Sequence, residues 1–195
     1  PPVPIIIYDV LLPQSAERDV DILFVIDNSG SMKDEQENLR AQFPALMQEL
    51  RNMVGGLPNV HIGVTSTDLA TGAFAITYCD PPGGDAGNLL VGSCANPVGA
   101  NFVVDIEPTD CQIERDAANP TQCLSHGCSQ ANCPAEDSDT PATTFEVDAE
   151  TGCPRCRNYQ NESLEDVFGC IADLGTLGCG FEQPLEAMYK ALEPG

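Results

Sequence analysis

The clearest pattern in the chain is an apolar run, Val20 to Ile26, that ends abruptly in a polar loop. Asp21 is the only charged residue of the run. Such a run predicts a β-strand that is buried on both faces, as at the centre of a parallel sheet. The loop covers Asp27 to Ser31 and leads into a segment with helical periodicity. Because open α/β sheets bind ligands at the carboxyl ends of their strands, this loop is the first candidate site.

The rest of the regular pattern predicts further helices and strands. Apolar residues recur at helical spacing in Lys33 to Val54, in a segment with Ser163 as its N-cap, and in a segment with Pro184 in its first turn. Pro44 is expected to kink or split the first of these helices. Strand composition marks Asn59 to Thr67, Phe74 to Tyr78 and Asn101 to Ile106. This alternation predicts an α/β fold: an open, mostly parallel sheet with helices on both faces and the Val20 strand at its centre.

Two parts of the chain lack this alternation. Residues 1–18 open with prolines and continue into the apolar run Ile5 to Leu12, which predicts an extended segment that covers a sheet edge or docks on the body. Residues 110–160 show no sustained periodicity and are rich in cysteine, proline and small polar residues. A structureless stretch of this length indicates an insertion stapled by disulfides. We therefore predict an extended segment at 1–18 and one domain at 19–195, with a cysteine-rich insertion at about 79–160.

The ten cysteines predict a disulfide-rich protein of an oxidising, extracytoplasmic compartment, because a reducing cytosol rarely preserves disulfides. A bridge from Cys79 to Cys94 would close a loop of about 16 residues. A zinc site is the alternative for the insertion, with Cys153 and Cys156 as one half and Cys123, Cys128, Cys133 and His126 as the other. The disulfide candidates are Cys79, Cys94, Cys111, Cys123, Cys128, Cys133, Cys153, Cys156, Cys170 and Cys179.

Charge excludes one class of partner and favours another. Thirty acidic residues against eight basic ones give a net charge of −22. Phosphate backbones are repelled by such a chain, so we exclude nucleic acid as a partner, whereas cations are attracted. No apolar run approaches the length of a transmembrane helix. The opening PPVPIIIYDV lacks the pattern of a signal peptide, so we expect a mature or processed chain.

The polar loop after the first strand has the chemistry of a hard-cation site. Asp27, Ser29 and Ser31 alternate, so one turn can direct three oxygens at one point, and Mg²⁺ and Ca²⁺ bind through oxygen ligands. Asp68, at the end of the second strand, can approach the same ion, or it can cap a turn. One carboxylate and two hydroxyls do not neutralise a divalent ion, so an acidic partner would complete the shell. The alternative is that Asp27 or Ser31 only caps the next helix, because Ser31 and Asp34 approximate a capping box.

The Asp-x-Ser-x-Ser spacing, placed between a buried strand and an amphipathic helix, resembles the metal-ion-dependent adhesion site of von Willebrand factor A domains. The stretches FVIDNSGSM and GCGFEQPLEA are also similar to predicted secreted von Willebrand A proteins of bacteria. The resemblance covers residues 19–78 and 162–193. It implies a Rossmann-like sheet and a divalent cation, Mg²⁺ or Ca²⁺, held by Asp27, Ser29 and Ser31.

The resemblance also implies a threonine ligand between the last two predicted helices and an aspartate after a later strand. Thr176 is the matching residue type, whereas counting back from the last helix reaches Cys179, a poor ligand for Mg²⁺. We therefore expect Thr176 to join the metal shell and Cys179 to form a disulfide, with Cys170 as a candidate partner. The aspartate would follow Gly195, so we expect the last strands to be missing from this chain. Water, Asp68 or a partner carboxylate would then complete the shell.

Three functions follow from these predictions. The first is a non-enzymatic adhesion or interaction module, secreted, periplasmic or at the cell surface, whose metal binds a carboxylate of a partner protein. The second is a structural subunit of a cell-surface filament or envelope assembly, with self-assembly or strand donation, in which the metal site is incidental or empty. The third, a metal-assisted hydrolase, is disfavoured because no Ser/His/Asp set and no Gly-x-Ser-x-Gly motif occurs.

Overall fold

The computed structural model of this protein describes residues 18–74, 76–77, 79, 84–136 and 141–193. The predicted run Ile5 to Leu12 and the end of one predicted strand, Tyr78, lie outside these residues. Within the described ranges the strands are β1 (Asp19–Ile26), β2 (Asn59–Ser66), β3 (Phe102–Ile106), β4 (Ile113–Arg115), β5 (Cys123–His126), β6 (Thr144–Val147) and β7 (Pro154–Arg157). The helices there are α1 (Lys33–Arg51), α2 (Leu164–Ile171) and α3 (Pro184–Leu192), with a 3₁₀ turn at Gln130–Asn132. None of these helices has the length and apolar character needed to cross a membrane.

The main sheet is mixed, and its strands follow the order β1-β2-β3-β7-β6. β1 and β2 are parallel and in register, from Asp19 opposite Asn59 to Ile26 opposite Ser66. The other neighbours in this sheet pair antiparallel, as do β4 and β5 in a separate small sheet. The fold is α/β, but the prediction of a mostly parallel sheet is wrong. Among the described residues a helical crossover joins only β1 and β2 of this sheet, whereas the described strands of the insertion are joined by loops that allow antiparallel pairing.

The strand β1 lies at an edge of the main sheet in the described part of the chain, with β2 as its neighbour. The prediction that this strand is central is therefore wrong for these residues. Val20, Ile22 and Phe24 contact the main core on one face of the strand. On the other face, Leu23 lies near Leu89, for which Gly63 leaves room. Apart from the exposed Asp21 the run is half-buried, and only Ile26 is fully buried, so both faces of the strand are partly covered rather than buried as predicted.

The main core lies between one face of the sheet and the helices α1 and α2. Phe43 of α1 and Phe168 of α2 stack with their ring centroids 3.6 Å apart. Phe24 of β1 packs against Phe168 at 4.7 Å between centroids. Such aromatic clusters bury a large apolar area and dominate core stability. α3 contacts β1 and β2 but contributes no residue to this core, so it lies against the opposite face.

The first helix is continuous where its sequence predicts a break. α1 continues through Pro44, so of the two predicted effects of this proline, a kink or a split, the split is wrong. Phe43 and Met47 are both buried against the core on either side of this turn, and their packing offsets the hydrogen bond that proline removes. The helix ends at Arg51 rather than Val54, and Gly55 and Gly56 follow with positive φ angles of 90° and 79°.

The two later helices begin where the sequence predicts. The Ser163 hydroxyl accepts the Asp166 amide N–H at 3.1 Å and completes a capping box at the start of α2. Pro184 lies in the first turn of α3. By contrast, the described residues of the predicted strand Phe74 to Tyr78 form turns. Phe74 N–H donates to Thr71 and Cys79 N–H donates to Ile76, so these backbone groups are not available to a sheet.

Disulfide bonds join all ten cysteines, and no cysteine is free. Bridges inside the insertion are Cys111–Cys128, Cys123–Cys153 and Cys133–Cys156. The zinc alternative is therefore wrong, because Cys153 and Cys156 are each oxidised with a different partner. These bonds confirm a disulfide-rich protein and fit an oxidising, extracytoplasmic compartment.

Two further bridges tie the insertion to α2 and to the loop between α2 and α3. Cys79 pairs with Cys179, and Cys94 pairs with Cys170. The predicted Cys79–Cys94 and Cys170–Cys179 pairs are therefore wrong. Disulfides form between residues that the fold brings within about 4.4–6.8 Å at Cα, and here these are residues far apart in sequence. The Cα atoms of Cys79 and Cys179 are 4.4 Å apart despite a separation of 100 residues.

A buried ionic network joins two neighbouring strands of the main sheet, β3 and β7. The carboxylate of Asp105 in β3 accepts hydrogen bonds from Arg155 Nε at 2.6 Å, Arg157 Nε at 3.1 Å and the Tyr159 hydroxyl at 2.6 Å. Burial alone would raise the pKa of Asp105, but the charges of Arg155 and Arg157 hold it below its usual value. Burial and the Asp105 charge raise the pKa of Tyr159, which stays a neutral donor. β3 and β7 are thus joined by charge as well as by backbone pairing.

Candidate metal centre

The carboxyl ends of β1 and β2 lie side by side, because the two strands are parallel and end in register at Ile26 and Ser66. The loop after β1 and the turn after β2 therefore begin at the same edge of the sheet. Thr67 N–H donates to the Ile26 carbonyl at 3.1 Å, which continues the pairing into the turn. This edge is where the sequence predicts a metal site.

The loop after β1 is held by its own hydrogen bonds. The Ser29 amide N–H donates to Asp27 Oδ1 at 2.8 Å and orients this carboxylate along the loop. Met32 N–H donates to the Ser29 carbonyl at 3.1 Å, which forms a tight turn before α1. α1 begins at Lys33 without a side-chain cap hydrogen bond. The alternative that Ser31 and Asp34 form a capping box is therefore wrong.

Gln36 of α1 connects this loop to the loop between α2 and α3. Its Nε2 donates to the carbonyl oxygens of Asp27 and Gly175, both at 2.9 Å. Gln36 is buried, where an unpaired amide is costly, so these two bonds hold the two loops at a fixed spacing. Sequence reasoning missed this residue, although a signal exists. Gln36 is a polar residue on the helix face that buries Phe43 and Met47.

The loop between α2 and α3 packs directly against the loop after β1. Gly178 N–H donates to the Asn28 carbonyl at 2.9 Å. A Cβ at Gly178 would collide with the Asn28 side chain, so glycine allows this close approach. The carbonyl oxygen of Thr176 lies 3.9 Å from the position that a Cβ would take on Gly30. The backbone of Thr176 is thus adjacent to the loop that carries Asp27, Ser29 and Ser31.

Asp68 lies at the same edge, and its carboxylate already accepts two backbone hydrogen bonds. Oδ1 accepts from Ala70 N–H at 2.8 Å, and Oδ2 accepts from Cys179 N–H at 3.0 Å. Asp68 therefore caps the turn after β2 and also holds the loop between α2 and α3. Each carboxylate oxygen can accept more than one hydrogen bond or ligand contact, so these bonds are compatible with a metal nearby.

Further contacts fasten the same loop from the side of α3. Gln183 N–H donates to the Thr67 carbonyl at 3.1 Å, and Gln183 Nε2 donates to the Ala70 carbonyl at 3.0 Å. The Ser66 hydroxyl at the end of β2 donates to the Asp85 carboxylate. Sequence reasoning missed Asp85, because it lies in a glycine-rich loop without periodicity. Together with the disulfide at Cys179, these contacts make the edge a rigid platform.

The residues at this edge fit a hard cation by their chemistry. They offer the carboxylate of Asp27 and the hydroxyls of Ser29, Ser31 and Thr176, whereas the Cys179 sulfur is held in a disulfide. Asn28 Oδ1 is buried beside them and has no hydrogen-bond partner in the part of the chain that the structure describes. In that part no group of three or more His, Cys, Asp or Glu side chains could hold a metal. A site built from one carboxylate and several hydroxyls would not form such a group.

Comparisons with protein-family models, with curated proteins and with solved structures find no match for this chain. The resemblance to von Willebrand A domains therefore remains a prediction from Asp27, Ser29 and Ser31 and their context. The α/β sheet, the disulfides and the convergence of two loops at one edge are properties of this structure and do not depend on that resemblance.

Proposed function

We propose that this chain is an extracytoplasmic protein-interaction module of the von Willebrand A type. A divalent cation, Mg²⁺ or Ca²⁺, binds Asp27, Ser29 and Ser31, with Thr176 and Asp68 as further candidate ligands. The cation coordinates a carboxylate of a partner protein, and no catalysis is involved. The observation that carries the proposal is the Gln36 bridge, which joins the Asp27 loop to the loop of Thr176 at the carboxyl ends of two parallel strands.

The charge of the loop supports an acidic ligand. Asp27 brings one negative charge and the hydroxyls bring none, so a bound divalent cation keeps positive charge that an outside carboxylate neutralises. The chain as a whole carries a charge of −22 and repels acidic surfaces. The partner carboxylate therefore lies on a surface that is otherwise neutral or basic.

The rigidity of the site supports binding rather than turnover. Gln36, Asp68 and the Cys79–Cys179 bridge hold the surrounding loops before any ligand arrives. A preorganised site avoids the entropy cost of ordering loops on binding. The disulfides also suit a secreted, periplasmic or cell-surface protein, where the chain would meet partners outside the cytoplasm.

Synthetic peptides can replace the partner protein in a test of this function. A lysine- and glycine-rich peptide with a single Asp, and its counterpart with Asn, are immobilised, and binding of the oxidised chain is measured in Mg²⁺ and in EDTA. We expect binding to the Asp peptide in Mg²⁺ only. Asp27→Ala should abolish it, whereas Asp21→Asn, at a side chain of β1 that is 86% exposed, should not. Binding that survives both EDTA and Asp27→Ala contradicts the proposal.

A second function, a structural subunit of a cell-surface filament or envelope assembly, is favoured by the edge of β1. In the described ranges this strand has β2 as its one neighbour, and α3 exposes Leu185, Tyr189 and Leu192. An open strand edge beside apolar side chains can accept a strand from another chain. In this function the metal site is incidental or empty. Oligomers whose size is unchanged by EDTA and by Asp27→Ala would favour it over the first function.

A further inference from the structure

Beside the candidate metal centre the surface forms an apolar pocket of about 460 Å³. Gly30 forms one wall, and Thr176, Leu177 and Phe181 of the loop before α3 form another. Leu177 is 82% exposed and Phe181 is 56% exposed, although both side chains are large and apolar. Exposed apolar side chains around a concave surface are typical of sites that bind a ligand or partner.

We propose that this pocket receives a large apolar side chain of the partner, next to the acidic residue that binds the metal. The inference rests on the proposed function and names the ligand more closely. The recognised segment carries Asp or Glu adjacent to a large aliphatic or aromatic residue, such as Phe or Leu. The metal selects the carboxylate, and the pocket selects its neighbour.

The pocket adjoins the metal loop, which supports recognition of an acidic residue and its apolar neighbour together. Gly30 lies between Ser29 and Ser31 and also lines the pocket. The Thr176 carbonyl lies 3.9 Å from the Cβ position of Gly30, so the two walls meet at the loop. Consecutive Cα atoms in a peptide are about 3.8 Å apart. We therefore expect a side chain adjacent to a metal-bound carboxylate to reach this pocket.

The charges around the pocket define the rest of the partner segment. Asp34 and Glu35 are exposed in the first turn of α1, which directly follows the metal loop. Glu182 and Glu186 are exposed at the start of α3, just after Phe181. A second carboxylate in the partner would meet these negative charges, whereas lysine or arginine would be attracted. The segment thus has one acidic residue and one apolar residue in a basic setting.

The pocket is preformed on the side of the α2–α3 loop. Cys79 lines it, and the Cys79–Cys179 bridge anchors that loop. The bond from Gly178 N–H to the Asn28 carbonyl holds the same loop against the metal loop. An apolar side chain that enters such a fixed pocket gains burial without ordering the protein.

Three matched peptides test this inference. They share a lysine- and glycine-rich sequence and differ at two central positions, which are Asp-Phe, Asp-Ala or Asn-Phe. Affinities are measured by fluorescence anisotropy in Mg²⁺ and in EDTA. We expect the Asp-Phe peptide to bind roughly tenfold more tightly than the Asp-Ala peptide in Mg²⁺, from the burial of one phenyl ring.

A double variant separates the pocket from the metal. Leu177→Ser with Phe181→Ser should remove the preference for Asp-Phe and keep weaker, Mg²⁺-dependent binding of both Asp peptides. Both side chains are largely exposed, so the fold should be unaffected. Leu192→Ser is the control, because this leucine is 67% exposed on α3 and does not line the pocket. It should keep the preference.

The outcomes distinguish this inference from the function on which it rests. Equal, Mg²⁺-dependent binding of the Asp-Phe and Asp-Ala peptides overturns the pocket and leaves the metal function intact. A preference for Asp-Phe that persists in the double variant also overturns the pocket. Equal binding of Asn-Phe and Asp-Phe in Mg²⁺, unchanged in EDTA, overturns the metal function. Absence of binding to all three peptides overturns both.

Discussion

Gln36 Nε2 donates to the carbonyl oxygen of Gly175 at 2.9 Å, across a sequence separation of 139 residues. The same nitrogen donates to the Asp27 carbonyl at 2.9 Å. A single buried amide therefore sets the spacing between the loop of Asp27, Ser29 and Ser31 and the loop of Thr176. If a metal binds between these loops, its affinity depends on this side chain.

Replacing Gln36 by leucine tests that dependence. Leucine has a similar size but donates no hydrogen bond, so both carbonyls lose their partner and the loops are free to separate. We expect unfolding free energy to fall by about 1–3 kcal/mol and Mg²⁺ affinity to fall with it. Urea unfolding and calorimetric titration measure the two effects. Gln48→Leu, at an exposed position of the same helix, should change neither. Full Mg²⁺ affinity in Gln36→Leu contradicts a role of this bridge in the site.

Removing one disulfide at a time should show which bridge supports the candidate metal site and which stabilises only the insertion. Cys79–Cys179 spans 100 residues and anchors the loop before α3, whereas Cys111–Cys128 spans 17 residues inside the insertion. In the chain-entropy model, replacing both cysteines of a bridge by serine lowers the free energy of unfolding by about 4.7 kcal/mol for the first bridge and about 3 kcal/mol for the second. Only the first variant should also lose Mg²⁺ affinity, as measured by calorimetry. Equal loss of affinity in both variants would mean that the insertion as a whole supports the site.

Local signals predicted the helices and the first two strands well. The apolar alternation of β2, the capping box at Ser163 and the proline at the start of α3 are short-range features, and each lies where it was expected. The Asp-x-Ser-x-Ser loop is local in the same sense. Its position at a strand end follows from the run that precedes it.

Long-range relationships could not be predicted from these signals. Pro154 to Arg157 has the composition of a loop, yet it is strand β7, which pairs with β3 and places Arg155 and Arg157 on the buried Asp105 about fifty residues earlier. The edge position of β1 and the pairing of Cys79 with Cys179 likewise depend on how distant segments pack. Gln36 could not be assigned to the site either, because its contact with Gly175 spans 139 residues.

The buried Asp105 predicts the acid response of the fold. Its pKa lies below the ordinary 3.8, so its charge contributes stability that is fully present above that value and is lost as pH falls through the lower folded pKa. Asp105→Asn leaves Arg155 and Arg157 without their buried partner. We expect this variant to have a free energy of unfolding about 3–5 kcal/mol lower at pH 7. It should also lack the part of the acid response that Asp105 causes.

Urea unfolding between pH 2 and pH 7, a range set by the usual carboxylate pKa values of about 4, measures that response. Asp173→Asn is the control, because its pair with Arg40 is exposed, with Asp173 55% accessible. Such a pair contributes at most about 1 kcal/mol. If Asp105→Asn and Asp173→Asn have the same free energy of unfolding at pH 7, Asp105 does not anchor β7.

The most direct test of the metal centre is calorimetric titration of Mg²⁺ into the oxidised chain. The titration is made at about 0.15 M salt, which screens diffuse attraction to the charge of −22. We expect one weak, saturable site that Asp27→Ala abolishes and Asp21→Asn retains, with circular dichroism unchanged in both variants. No saturable site in the unmodified chain, or equal affinity in Asp27→Ala, contradicts this expectation.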